Sequence, residues 1–338
     1  MKAVVYEGPR SFEIKTVDTP RPGPHEVLLR VLMAGVCGTD LHLHDGEFGP
    51  TYPLIPGHEF VGEIEEVGSA VSGLSPGQRV VVDNTRQCGE CVNCRRRRAN
   101  FCLNLVAQGV NAPGGFAEYI CAPAGRCFVV DDLPVEVAVL TEPTACVVHG
   151  LDRLNPAPGS EVAVFGAGPT GLLLAQFLAA SGGTRVTVAA PTAFKLKLAA
   201  AWGADVTVEL DRSRPERNAE LLRAASPDGF DMVVDATGAT AVLDQVIELT
   251  RDGGTVVTYG MAPEAATWNI SPYEIFRREL TIIGSFAQCY SFDRALLALR
   301  TGRIKTDGMI THRFTLDEYA DALTAVAGSS CLKAVIVP

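Results

Sequence analysis

Four cysteines within one short stretch, Cys88, Cys91, Cys94 and Cys102 in CGECVNCRRRRANFC, constrain this chain more than any other feature of its sequence. The spacing C-x2-C-x2-C-x7-C lets tight turns aim successive thiolates at one centre. Four soft sulfurs without a histidine or carboxylate favour a closed, tetrahedral zinc. An iron–sulfur cluster takes the same four ligands, but it ranks behind zinc. No coordination position is left open, so this metal is expected to hold a lobe together and to do no chemistry. Arg95 to Arg98, inside the longest gap, read as a plain solvated run first, and only second as charges that soften the negative thiolates.

The compartment follows from the same cysteines and the opening residues. MKAVVYEGPRSFEIK puts charged and Gly-Pro residues where a secretory leader would need an apolar centre, and no apolar run approaches the ~18 residues of a membrane span. The expected setting is the cytoplasm, with no membrane partner. In a leaderless chain of 338 residues, a tight cluster drawn from ten cysteines is better explained by metal than by disulfides. The formal net charge of −10 argues against a nucleic-acid surface, which needs local cation density.

The texture of the chain changes part-way along. The first third reads as short β-runs (KAVVYE, HEVLLRVLMAGV, FVGEIEEVG, QRVVVD) broken by turns such as TPRPGPHE and SGLSPGQ, which is a barrel-like pattern. From about Ser160, apolar strands (EVAVFGAG, TRVTVAA, DVTVEL, DMVVDAT, GTVVTYG, LTIIGSF) alternate with Ala/Leu-rich helices such as TGLLLAQFLAASG and FKLKLAAAWGA. That alternation predicts a doubly wound parallel sheet. The tail has a helix and a final strand, LKAVIVP, but no such alternation of its own, and is expected to rejoin the first domain. The expected division is 1–147 and 286–338 for one domain and 148–285 for the other, an α/β protein overall.

Gly166, Gly168 and Gly171 in VFGAGPTG form G-x-G-x-x-G directly after a strand and at the opening of a helix. Glycines there permit a tight turn and close approach of the backbone to a pyrophosphate, and the helix N-terminus favours its negative charge. Pro169 and Thr170 complete the candidate dinucleotide turn.

Cys37 in GVCGTDLH, His58 and Glu59 in PGHE, and Glu142 in TEPTA supply a second, dispersed set of ligand types. Singly, each is ordinary: a lone cysteine is more often a core residue and a lone glutamate a solvated charge. Taken with the quartet, GGFAEY (Gly114 to Tyr119) and the glycine turn, all in the same order, they make the chain resemble the medium-chain zinc-dependent alcohol dehydrogenases over essentially its whole length.

The resemblance implies a GroES-like β-barrel catalytic domain, a Rossmann domain, and two zinc ions, one catalytic and one structural. Cys37 and His58 are then catalytic zinc ligands. Glu59 is either a direct ligand or a neighbour of one, Glu142 is a metal- or water-facing carboxylate, and Cys146 is a minor candidate. Thr39 and His42 match the hydroxyl and imidazole of the family's proton relay, and Asp40 is a candidate to orient His58. A mixed set with an open position suits a zinc that lowers the pKa of a substrate hydroxyl.

The end of the second Rossmann strand bears on the cofactor. An acid there would accept the ribose hydroxyls of NAD and repel a 2′-phosphate, but this chain has Ala190, followed by Thr192 and Lys195, the candidate phosphate contacts. NADP is therefore expected ahead of NAD. Among branches, TEPTACVVHGLDRL and LTIIGSFAQCYSFDRAL look most like polyol dehydrogenases of the sorbitol and arabinitol kind. Ala287 and Gln288 stand where the sorbitol enzymes have Arg-Tyr, which points away from sorbitol and toward a pentitol such as D-arabinitol, or its ketose. The alternatives are a dehydrogenase of a diol or threonine-like alcohol, and a zinc-stabilised NADP-binding module without turnover. The resemblance also implies a homo-oligomer, dimer or tetramer.

Overall fold

A computed structural model describes residues 1–214 and 216–338. The chain divides into two units, the first made of Met1–Pro143, Phe292–Thr301 and Thr306–Pro338, the second of Thr144–Ser291 and Gly302–Lys305.

The first unit is built on a seven-stranded sheet. In order across it run Ile310–Phe314, Lys333–Ile336, Glu26–Val36, Glu59–Val67, Arg79–Val82 and Cys127–Val129, with Tyr119–Pro123 pairing on Glu26–Val36. The hairpin Lys2–Gly8/Ser11–Thr16 adds a separate antiparallel pair. Val27, Leu29 and Val31 alternate inward along the central strand and pack with Val4, Phe60, Phe116, Tyr319 and Ile336 in one core. This alternation is the period-two signature of a strand, and Leu28 and Met33 on the strand's other face are buried as well. The chain's last strand is thus a neighbour of its longest, and the core closes only when the C-terminal segment returns.

The second unit is a six-stranded parallel sheet. Numbered within the unit, its strands are Glu161–Phe165, Arg185–Ala190, Val206–Glu209, Phe230–Asp235, Thr250–Thr258 and Thr281–Gly284, and their spatial order is 3-2-1-4-5-6. All six match the strand candidates in the sequence. The order reverses between the first and fourth strands, where a doubly wound sheet opens the crevice that binds dinucleotides. Val162, Val164, Val186, Val188, Val233 and Val234 are fully buried, which explains why these strands read as continuous apolar runs. Among the described residues, no helix is long and apolar enough to cross a membrane.

Candidate metal centres and nucleotide turn

Three adjacent strands of the first unit build the dispersed site. In register, Gly35 on the central strand lies opposite Glu59 on one neighbour and Val335 on the other. Cys37 follows that central strand and caps the N-terminus of helix Gly38–Asp45, while His58 immediately precedes the Glu59 strand. The Cys37 sulfur, an imidazole nitrogen of His58 and a carboxylate oxygen of Glu59 lie within 4.8 Å of one another. A Cβ on Gly35 would overlap the Glu59 carboxylate, so a residue without a side chain is what lets that acid lie across the strand.

The site is buried and densely charged. His58 and Glu59 are 5% and 1% exposed. Glu59 Oε2 forms an ion pair with the ammonium of Lys333, itself buried in the last strand. Sequence reasoning missed Lys333. Its only signal was a lysine placed in the apolar run LKAVIVP. Burial alone would lower the Lys333 pKa, but Glu59, Cys37 and Glu142 outweigh it and hold the ammonium charged.

Asp40 ties two candidate ligands together. One of its oxygens accepts from the Cys37 N–H at 2.8 Å, and the other faces His58 Nδ1 across 3.7 Å. Neither that oxygen nor Nδ1 has a conventional hydrogen bond. Burial raises the Asp40 pKa, partly opposed by His58 and the Cys37 amide. Burial would push His58 down, yet Asp40, Cys37 and Glu142 together hold it well above its ordinary value. In the metal-free chain a proton on His58 therefore balances buried negative charge. A divalent cation bound through the other ring nitrogen would do the same, so this donor set fits a metal.

Three of the remaining candidates, Thr39, His42 and Glu142, belong to the same unit as this triad. The Thr39 hydroxyl is 3.6 Å from the Cys37 sulfur. His42 sits one turn further along the same helix, three residues on, where side chains are neighbours. Glu142 lies outside the 4.8 Å triad but acts by charge on His58 and Lys333. Cys146 belongs to the second unit, where its thiol donates to Gln288 Oε1 at 3.4 Å.

The quartet forms the other cluster. Sulfur separations of 4.0 Å (Cys88–Cys94), 4.0 Å (Cys91–Cys102) and 3.5 Å (Cys88–Cys102) match the edges of a tetrahedron. Zinc–sulfur bonds of ~2.3 Å would place sulfurs roughly 3.8 Å apart. Backbone N–H groups of Cys91, Cys94 and Cys88 donate to the sulfurs of Cys88, Cys91 and Cys102. Such donors help lower the Cys91 thiol to about 6. Burial and the neighbouring sulfurs push Cys94 up to about 12. Four sulfurs at these distances could all ionise only around a cation, so the quartet also fits a metal. The short ladder Thr85–Arg86/Val106–Ala107 closes the base of the lobe.

In the second unit, Gly166 follows the first strand with φ +102°, a value that favours glycine. Gly171 packs so closely on the Gly166 carbonyl that a Cβ would collide with it. Gly168 caps helix Pro169–Ala180, with Pro169 in the first turn, followed by Thr170. The free N–H groups of that turn and the helix dipole make an anion cradle. Ala190 ends the second strand and is buried. Thr192 caps helix Ala193–Ala201, and Lys195 lies in its first turn with its ammonium 5.8 Å from the Phe194 ring centre.

Comparison with known proteins decides the family. Residues 23–132 match the alcohol dehydrogenase GroES-like domain, and residues 169–300 match the zinc-binding dehydrogenase family. The chain belongs to the zinc-dependent alcohol dehydrogenases. It is 44% identical over 339 aligned residues to D-arabinitol dehydrogenase 1 of Uromyces fabae, covering 100% of this chain and 97% of that one. It is 36% identical to D-altritol 5-dehydrogenase of Agrobacterium fabrum, covering 90% and 89%. A crystal structure of a zinc-binding dehydrogenase from Sinorhizobium meliloti, bound to NADP, superposes with a TM-score of 0.92 at 37% identity, covering 100% and 99%. The chain is therefore an oxidoreductase built from a GroES-like domain and a Rossmann sheet.

Proposed function

We propose that this dehydrogenase interconverts a sugar alcohol, a pentitol such as D-arabinitol foremost, and the corresponding ketose, with NADP(H) preferred over NAD(H). The observation that carries the reading is the Cys37–His58–Glu59 triad, its histidine and glutamate buried, in a chain 44% identical over its whole length to a D-arabinitol dehydrogenase. One zinc belongs to Cys37, His58 and Glu59, with Glu142 the other carboxylate at hand. A second zinc belongs to Cys88, Cys91, Cys94 and Cys102. The first supplies, when bound, the Lewis acidity that eases loss of the substrate's hydroxyl proton.

The chain's own residues do the rest. Asp40 orients His58, and Lys333 offsets the Glu59 charge. Thr39 and His42 carry the hydroxyl proton away. Gly166, Gly168, Pro169, Thr170 and Gly171 seat the pyrophosphate. Ala190 leaves room for a 2′-phosphate, with Thr192 and Lys195 as its contacts. The domain roles are assigned on the expected division, 1–147 with 286–338 catalytic and 148–285 nucleotide-binding, whose bounds differ from those of the two compact units, which part at Pro143 and Phe292.

The protein works in the cytoplasm as a homo-oligomer. Supporting the latter, Thr281–Gly284 is an edge strand, and Tyr273, Phe276 and Tyr290 nearby in sequence are 65%, 79% and 70% exposed. The test of the whole reading is a panel of pentitols, hexitols, diols and threonine, with the matching ketones, run with NADP and NAD in parallel. Pentitol oxidation with NADP is expected to have the highest kcat/KM. Turnover of threonine or a diol alone would refute the substrate class. Ala190→Asp is expected to move the specificity ratio toward NAD, and an unchanged ratio would refute the assignment of that position.

A further inference from the structure

The turn that ends the metal-site helix brings in an acid the sequence reading did not use. Helix Gly38–Asp45 stops at Gly46, whose φ of +86° reverses the chain. The Glu47 N–H then donates back to the His42 carbonyl at 2.9 Å. This folds Glu47 over the last helical turn, where its Oε2 lies 2.5 Å from His42 Nδ1. Both side chains are largely shielded, at 18% and 25% exposed. Glu47 is thus fixed to His42 twice, through the backbone and through the side chain. His44, two residues on, is bound differently, with its Nδ1 2.8 Å from the Tyr6 hydroxyl inside an aromatic cluster.

A carboxylate is acceptor-only, so a contact of this length puts a proton on Nδ1 and leaves Nε2 as the ring's basic atom. We propose that Glu47 is a positioning residue for proton transfer, holding His42 in the Nδ1–H tautomer with Nε2 free to accept the substrate's proton. This rests on the reading of Thr39 and His42 as the relay. In oxidation the alcohol O–H bond breaks, the Thr39 oxygen takes that proton as its own moves outward, and a new N–H bond forms at Nε2. The hydride leaves carbon with its electron pair for the nicotinamide. The imidazolium, offset by the Glu47 carboxylate, then releases the Nε2 proton to water and keeps the Nδ1 proton.

The test uses the full-length, zinc-loaded enzyme with 15N-labelled histidine. There are six histidines, and the signal missing in His42→Gln identifies His42. Wild type is expected to show Nδ1–H for that residue. Glu47→Leu is expected to give a mixed tautomer and to lower kcat about tenfold, with KM within about twofold. Glu47→Gln keeps an acceptor oxygen, so the tautomer should persist with a loss of roughly threefold. The double variant His42→Gln/Glu47→Leu should lose no more than His42→Gln alone, because the two residues act as a unit. An unchanged tautomer in Glu47→Leu, or losses that multiply in the double variant, overturns the proposal. Wild-type kcat in His42→Gln, with the Glu47→Leu tautomer shift still present, overturns the relay reading itself and with it the catalytic meaning of Glu47.

Discussion

The two cysteine-bearing clusters solve the problem of gathering negative ligands in opposite ways. The quartet collects four thiols from one loop, keeps three of them partly exposed, and relies on backbone amides to stabilise the sulfurs. The Cys37–His58–Glu59 site collects its donors from neighbouring strands, buries the histidine and the glutamate while Cys37 stays partly exposed, and balances them with the Lys333 ammonium and a proton on His58. Local turns are enough to present ligands that solvent helps to stabilise. Ligands removed from water need counter-charges built into the surrounding sheet. The first arrangement suits a metal that only braces a lobe, the second a metal whose charge must act on a substrate.

The sharpest way to break that comparison is to delete a ligand from each cluster. Cys37→Ala or His58→Ala is expected to lower kcat/KM by at least about 10³-fold and to remove one equivalent of zinc, with activity lost far out of proportion to the fall in Tm. Cys94→Ser should lower Tm and remove the other equivalent, leaving kcat per folded chain near wild type. Metal analysis and melting curves on the same samples decide it. Equal losses of activity from both would erase the distinction.

Next comes the buried counter-charge. Lys333→Met leaves Glu59 without its partner and should cost about 3–5 kcal/mol in urea unfolding of the metal-free protein. Lys333→Met/Glu59→Gln should recover most of that loss. The half-exposed Arg30, paired with Glu63 at 2.9 Å and Glu65 at 2.8 Å, gives the reference: Arg30→Met should cost under about 1 kcal/mol. If Lys333→Met costs no more than Arg30→Met, the buried ion pair is not what stabilises the site.

Asp40→Asn keeps the shape but not the charge facing His58. It should weaken zinc binding at the buried site by about 10–100-fold and leave the quartet's zinc in place, as read by competition with a chromophoric chelator. Equal affinities in variant and wild type would remove Asp40 from its role.

The smallest expected effect is one of pH. A raised His58 pKa stabilises the metal-free fold fully below the ordinary histidine value of about 6.5, and this contribution is lost as pH climbs through the raised value. Zinc replaces that proton, so the Tm gap between zinc-loaded and metal-free protein should widen by a few degrees as pH rises above about 6.5. A gap independent of pH would mean the proton on His58 is not what the metal displaces.

Much of this was legible in the chain. The inner Rossmann strands Glu161–Phe165, Arg185–Ala190 and Phe230–Asp235 announced themselves because they are largely buried on both faces and therefore mostly apolar, while the more exposed edge strands Val206–Glu209 and Thr281–Gly284 were legible from their alternation with helices. The quartet and Gly166–Gly171 were legible because their geometry is local: the ligand spacing and the strand–turn–helix junction are written within a few residues. Lys333 was not legible, because nothing near it in sequence says that its strand lies beside Glu26–Val36, the one that leads into Cys37. Glu47 was missed for a subtler reason. It is only five residues from His42, but its placement depends on the reversal at Gly46, which the helical pattern does not forecast. The sequence alone determined which donor types exist, that a glycine turn follows a strand, and which residues are apolar enough to be core. The tertiary structure decided which charges meet: Glu59 with Lys333, Asp40 with both Cys37 and His58, and His42 with Glu47. Strand register and chain reversal set those pairings, and both arise from packing the whole sheet rather than from any short stretch of residues.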